Sequence, residues 1–296
     1  MQNWDDLRVF LAVARHRTYQ DASDAILMDP TTIARRLDRL EKELKCTLLT
    51  RGPRGHSLTA TGKRLLDAAS RMELAHEELS DRHGTAATAG RVRISTSEGF
   101  GTAILSPAVP ALIAQRPTVE IEIVANPGYL SPALREVDLA ITLAAPQDKR
   151  LAVERLTDYQ LGLYAANSYV LKNQLPKKAE DLRKQTLIGY IDDLLYANEL
   201  RYLDEIANDL NPAVSSSSIR SQLEMVRAGV GIAVLPCFMA EAVEPRLTRL
   251  LGGTVSVTRT FWMSARRDVQ QTSRVKRVRN WVQQTVAKQK PLLLPD

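Results

Sequence analysis

The most chemically pointed stretch of the chain is DPTTIARRLDRLEKEL, Asp29 to Leu44, in which an acid, a proline and two threonines precede three arginines. Hydroxyl and guanidinium groups at the front of a helix can hydrogen-bond to base edges and phosphates of DNA, and a carboxylate there can accept from a cytosine amino group. Asp29, Thr31, Thr32, Arg35, Arg36 and Arg39 are therefore candidate DNA contacts, joined by Arg51 and Arg54 in the following LLTRGPRGHSL. From Arg35 to Arg64 nine Lys and Arg residues stand against three acids, so this short window alone accounts for an excess as large as the +6 of the whole chain. A solvated helix followed by a basic loop would carry similar residues, and the neighbouring elements must decide between the two.

A second set is rich in hydroxyls: Thr96, Ser97 and Glu98, then Asn126, Thr142, and the run Ser215, Ser216, Ser217 and Ser218. Each position follows an apolar segment that reads as a strand. In open α/β sheets, ligands sit beyond the carboxyl ends of strands and against helix N-termini. The set suits a small polar metabolite. A carboxylate effector would suit the helix ends, whereas Glu98 opposes it unless its side chain points away or meets a cation. Taken singly, each serine also suits a helix cap or a turn.

Nothing comparable supports catalysis. His16, His56, His76 and His83 all lie in the amino-terminal third, and no G-x-G-x-x-G, phosphate-binding G-x-x-x-x-G-K-[ST] or G-x-S-x-G pattern occurs at the required place. Cys46 and Cys237 lack Cys or His neighbours at metal-ligand spacing, which argues for reduced intracellular thiols and against a metal or a disulfide framework. No cofactor is implied. The opening MQNWDDLRVF has two acids and no basic region before an apolar run, so no signal peptide is expected. No apolar run approaches the roughly 18 residues of a membrane helix, and the chain reads as cytoplasmic with no membrane partner.

The elements that must position these residues follow from periodicity. Leu7, Phe10, Leu11 and Ala14 fall at helical spacing, and Thr18 caps a second short helix carrying Ala22, Ser23 and Ile26. Pro30 disfavours helix before it and suits the first position of a new one, with Asp29 as its cap. That third helix has an apolar stripe at Ile33, Leu37, Leu40 and Leu44, and a basic hairpin follows. Helix, turn, arginine-faced helix and basic wing make a winged helix-turn-helix over residues 1–62. From 63 to 90 a long helix with a seam at Leu65, Ala68, Met72, Ala75 and Leu79 runs into the small, polar HGTAATAG hinge.

Beyond residue 91, strands and helices alternate twice, as in a parallel doubly wound α/β sheet. LSPALREV and NELRYLDEIANDL read as helices within it. The expected lobes are 91–163 with 262–290, and 164–261, with crossings near Leu163–Ala165 and Phe261–Ser264. The runner-up reading is a cytoplasmic solute-binding protein with no DNA role.

LRVFLAVARHRTYQDASDAI, TTIARRLDRLEKEL and LLTRGPRGHSLTATGKRLL together resemble the DNA-binding domain of the LysR-type transcriptional regulators. Leu40–Glu41 and LTATG at 58–62 are the most specific pieces, and MVRAGVGIAVLP at Met225–Pro236 extends the likeness into the carboxy-terminal part. The resemblance implies an α-helical winged helix-turn-helix and a periplasmic-binding-protein-like effector domain of two lobes. It also implies a homodimer or homotetramer paired antiparallel through the long helix, a promoter operator in double-stranded DNA, and a small-molecule effector. Arg35 matches the family's usual arginine, whereas Asp29, Pro30 and Thr31 replace its frequent Ser-Gln-Pro, so the operator should differ from those of relatives.

Overall fold

The computed structural model describes residues 4–16, 18–52, 55–82, 90–115, 119–125, 130–134, 136–243 and 245–295. The chain divides into two compact units, Met1–Ala87 and Thr88–Asp296.

In the first unit, helices α1 (Trp4–Arg15), α2 (Tyr19–Ile26) and α3 (Pro30–Leu44) enclose a core of Phe10, Leu11, Ile33, Leu37, Leu40 and Leu48. The expected caps form. Thr18 accepts from the Asp21 amide, and Asp29 accepts from the amides of Thr31 and Thr32, with Pro30 in the first turn. Strands β1 (Leu49–Gly52) and β2 (Gly55–Leu58) pair antiparallel as the wing. The Tyr19 and His56 rings stack at 4.2 Å between centroids, which fastens the wing to α2.

Two sequence features of this unit acquire a physical reason. Glu41 accepts from the Leu48 and Leu49 amides at 2.5 and 3.2 Å, so it ties the end of α3 to the start of the wing. In LTATG, Thr59 donates to the Thr47 carbonyl and accepts from the Gly62 amide. The long helix α4 (Ala60–Arg82) begins there, with Leu66 and Ala69 buried and Met72, at 50% relative exposure, on the outside. The side chains of Ala75 and Leu79, and the hinge residues His83 to Ala89, lie outside the described residues.

The second unit is built on one mixed sheet. In chain order its strands are β3 (Gly90–Thr96), β4 (Val119–Val124), β5 (Leu139–Thr142), β6 (Leu151–Ala165), β7 (Leu187–Gly189), β8 (Val214–Ser215), β9 (Ile232–Pro236), β10 (Thr248–Leu250) and β11 (Val257–Arg266). Their spatial order is β4-β3-β5-β11-β6-β9-β7-β8, with β10 also on β6. The pairs β3/β4, β3/β5, β7/β8 and β7/β9 are parallel, as alternating strands and helices require. The middle departs from an all-parallel expectation, because β6 and β11 run antiparallel to each other along their length.

β6 and β11 carry the chain between the halves of the sheet. β11 holds β5 through Trp262–Ala265, and β6 holds β9 through Leu161–Tyr164. The pairing of β11 with β6 shifts register at Phe261/Trp262. In β6, Leu151–Arg155 lies opposite the part of β11 that also holds β5, and pairing with β9 begins at Leu161.

Two expected helices reduce to turns. LSPALREV contributes only the 3-10 turn Pro132–Leu134. NELRYLDEIANDL breaks into a 3-10 turn at Asn198–Leu200 and a single helical turn at Leu203–Ile206, because Arg201 leaves the helical region at ψ 63. Leu200 and Tyr202, on either side of that break, are both buried, so tertiary packing overrides helix propensity here.

Gly62 provides a check on the first unit. A Cβ at this position would lie 2.1 Å from the Leu48 carbonyl oxygen, a backbone atom tied into the wing. Gly62→Ala should destabilise this unit by about 1–3 kcal/mol, measured as a drop in the urea midpoint of the full chain's first transition. An unchanged midpoint would mean that α4 does not pack this closely on the wing.

Candidate DNA interface and effector crevice

At the recognition helix, the arginines divide into two groups. Asp6 of α1 is buried, and it accepts from Arg39 Nε at 2.7 Å, from a second nitrogen of the same guanidinium, and from Arg36 Nη1 at 3.4 Å. Arg36 also lies 3.8 Å from Asp5. The two arginines are three residues apart on one helix face, so both reach the same acid. The sequence places Arg36 and Arg39 on the outward polar face, and Arg39 is exposed there; the structure adds that both also bond Asp6 of α1. Arg35 is exposed and has no ion-pair partner among the described residues.

The front of α3 is shaped by Asp29. Its Oδ1 accepts from the Thr31 amide at 2.8 Å, from the Thr32 amide at 3.4 Å and from the Thr31 hydroxyl. These bonds hold its carboxyl below the usual aspartate range, the side-chain bond from Thr31 being the largest cause. Thr31 stays exposed with its hydroxyl proton committed, and Thr32 is half-buried. Arg51 sits on β1 opposite His56; its side chain, and the whole of Arg54, lie outside the described residues.

In the second unit a cavity of about 360 Å3 opens where the halves of the sheet meet. That volume suits a small metabolite. Four of the nine sequence candidates line it: Ser97, Glu98, Ser217 and Ser218. Glu98 Oε1 accepts from Ser218 Oγ at 2.9 Å, and Ser218 caps the helix Ile219–Arg227 by accepting from the Ser221 amide at 3.1 Å.

The other candidates stand elsewhere. Thr96 is fully buried, off the cavity, and its hydroxyl has no hydrogen-bond partner among the described residues, because strand alternation turns it away from the face that Ser97 reaches. Thr142 donates to the Ala144 carbonyl at 2.7 Å, so its hydroxyl serves the turn after β5. Ser216 accepts from the Ser218 amide and Ser215 is an exposed residue of β8, so the serine run is partly spent on forming the turn. Asn126 lies outside the described residues.

What sequence reasoning missed is the aromatic lining. Three of the chain's four phenylalanines (Phe100, Phe238, Phe261) and four of its eight tyrosines (Tyr159, Tyr190, Tyr196, Tyr202) border the cavity. Tyr159 and Phe261 stack at 4.2 Å on the crossing strands, and Phe100 lies 4.6 Å from Phe261. Burial pushes Tyr159, Tyr190 and Tyr202 up, and burial with the Glu98 charge pushes Tyr196 up to about 12, so all four phenols are neutral at physiological pH. The clue available in sequence was the pair of tyrosines in YIDDLLY, immediately beyond the strand that became β7.

Among the described residues no group of His, Cys, Asp and Glu could hold a metal, and no helix is long and apolar enough to cross a membrane. Cys237 is buried near Tyr164, and burial raises its thiol pKa, which disfavours the reactive thiolate.

A winged helix-turn-helix on the same chain as an α/β unit with a ligand-sized crevice defines a one-chain DNA-binding regulator with a small-molecule input. The particular kind follows from two family matches: residues 4–63 match the bacterial regulatory helix-turn-helix protein, lysR family, and residues 85–287 match the LysR substrate binding domain. The chain belongs to the LysR family of transcriptional regulators. It is 29% identical over 260 residues to the HTH-type transcriptional regulator PtxR of Pseudomonas aeruginosa, covering 85% of this chain and 82% of the relative. Its fold is shared with CrgA, a LysR-type transcriptional regulator from Neisseria meningitidis, at TM-score 0.61 and 22% identity over 96% of this chain and 99% of that one. It is shared too with full-length LysG from Corynebacterium glutamicum with bound effector Arg, at TM-score 0.65 and 17% identity over 97% and 99%. The family sets aside the alternative of a solute-binding protein with no DNA role.

The Asp29 cap carries a pH signature. A lowered folded pKa means that the charged cap stabilises above the ordinary aspartate value of about 4, and that the contribution is lost as pH falls through the lowered value. Asp29→Asn keeps an oxygen acceptor without the charge. Its stability deficit relative to the parent should therefore be largest near neutral pH and shrink on acidification below about pH 4, read from urea midpoints across pH. A deficit independent of pH would contradict the charged cap.

Proposed function

We propose that this regulator reads its operator through the front of α3, with Arg35 as the principal base-contacting residue and Thr31 and Thr32 beside it. The observation that carries this reading is the division among the arginines: Arg35 is exposed and unpaired among the described residues, whereas Asp6 holds Arg36 and Arg39. Arg36 and Arg39 then set the angle of α3 and add positive potential toward phosphates. Arg51 and Arg54 of the wing contact the backbone or the minor groove. Asp29, besides capping the helix, selects against bases that present an acceptor near it.

The protein works as a homodimer or homotetramer in the cytoplasm and is not an enzyme. Support for pairing comes from α4, where Leu65, Leu66 and Ala69 pack on the domain core while Met72, one step further along the seam, is left exposed. Residues 1–62 form the DNA-binding domain and 63–90 the pairing helix and hinge. The two lobes of the effector domain divide where β6 and β11 pass between the halves of the sheet. A small metabolite in the crevice shifts an existing equilibrium among DNA-bound arrangements. Relatives make the reading reasonable, since LysG is a full-length regulator with a bound effector.

Arg35→Ala should weaken binding to the DNA upstream of the protein's own gene by about 1–3 kcal/mol and narrow the gap between operator and unrelated DNA. Electrophoretic shifts at two salt concentrations measure this, because phosphate contacts govern the salt slope and base contacts the discrimination. A variant as tight and as selective as the parent would remove Arg35 from base reading.

A further inference from the structure

The crevice has a definite chemical character. Seven aromatic side chains border it, together with apolar residues such as Leu143 and Pro236, and its polar groups are the serines, the neutral phenols and Glu98. Among the described residues Glu98 is the sole charged one in that lining, and no Lys, Arg or His joins it. The Arg259 guanidinium lies 5.9 Å from the centre of the Tyr202 ring, ion-paired to Glu205 and donating to the Glu199 carbonyl. Glu98 spends one oxygen on Ser218; its second has no hydrogen-bond partner among the described residues.

A carboxylate effector entering this crevice would be desolvated against an aromatic wall and would face the negative charge of Glu98 with no cation to offset it. An ammonium group meets the opposite situation. It pairs with the free Glu98 oxygen, donates to Ser97, Ser217 or Ser218, and lies against ring faces whose quadrupoles attract a cation.

We propose that the effector of this protein is an organic ammonium compound with an apolar or aromatic body, its charged head held by Glu98 and its body by the rings of Tyr159, Tyr196, Tyr202 and Phe261. This deepens the reading of the crevice as the effector site and rests on it. It also gives the ligand a mechanical handle. Glu98 opens the helical run from lobe I and Ser218 caps a helix of lobe II, so the bond between them links the two halves. An ammonium group that recruits Glu98 acts on that link directly, and the angle between the halves responds to occupancy.

The test uses the full chain with four probes of similar size: 2-phenylethylammonium, benzyltrimethylammonium, neutral 2-phenylethanol and 3-phenylpropionate. Thermal shift and titration calorimetry at pH 7 should find the two ammonium compounds bound at least tenfold more tightly than the alcohol or the carboxylate. Glu98→Gln, a near-isostere that can still accept from Ser218, should lose tenfold or more in ammonium affinity and keep the parent's affinity for 2-phenylethanol. Its circular-dichroism spectrum and a single cooperative thermal transition confirm that the variant folds. Tighter binding of 3-phenylpropionate, or an ammonium affinity indifferent to Glu98→Gln, would overturn the ammonium class and leave the crevice standing as an effector site. Binding of none of the four probes would overturn the crevice reading along with it.

Discussion

The effector half of this protein depends on one antiparallel pairing, that of Leu151–Ala165 with Val257–Arg266. Parallel strands with helical crossovers close on themselves as lobes, and two such lobes need shared strands to become one sheet. Here the long pair supplies β11 to the β5 side and β6 to the β9 side. The same pair sets the floor of the crevice. Tyr159 and Phe261 stack on each other at the point where the strands change partners, next to the register shift at Phe261/Trp262. Joining the lobes and lining the crevice are therefore two consequences of one stretch of backbone, and a shift between the halves must alter the crevice surface.

The DNA-binding unit has its own constraint, a buried carboxylate. Asp6 is 1% exposed, and a buried charge without partners is costly, so it draws two arginines from α3 across to α1. That contact turns the amphipathic helix from a solvated rod into one with a fixed roll. With Arg36 and Arg39 held, the residues left at the exposed front are Thr31 and Arg35, behind an aspartate that completes the first turn. The basic excess of the 35–64 window thus contains two kinds of charge: one locks the helix to its own domain, and the other remains available to a polyanion.

Much of this was legible from periodicity and caps, because those signals are local. The stripe Ile33, Leu37, Leu40, the caps Thr18 and Asp29, and the start of α4 at LTATG all depend on residues within four or five positions of each other. The division among the arginines was illegible because Asp6 lies about thirty residues away, and an arginine face reads the same whether it meets an acid or water. The hydroxyl set is divided for a similar reason, with four of its nine residues lining the cavity. Strand ends can be found from sequence, but which of two adjacent residues turns into the crevice follows from the pleat, so Ser97 faces the cavity while Thr96 is buried away from it. The aromatic lining was missed because its rings come from β6, β11, the helical turns after β3 and β9, and the segment of short turns after β7, with no spacing to connect them.

The broken segment around Tyr202 carries the next step. A continuous helix over NELRYLDEIANDL would have presented Leu200 and Tyr202 on different faces, since residues two apart do not share one. By breaking at Arg201 the chain buries both, with Tyr202 joining the crevice wall and meeting Tyr190 edge-on at 6.1 Å. The helix-forming residues of this stretch are therefore overruled by the value of burying large apolar side chains. The floor of the crevice consists of sheet, whose geometry is fixed by backbone pairing between strands, while one wall consists of short turns whose backbone-to-backbone hydrogen bonds are all local. The crossing strands are held by their pairing, and the short turns are the part of the crevice whose shape rests on side-chain packing.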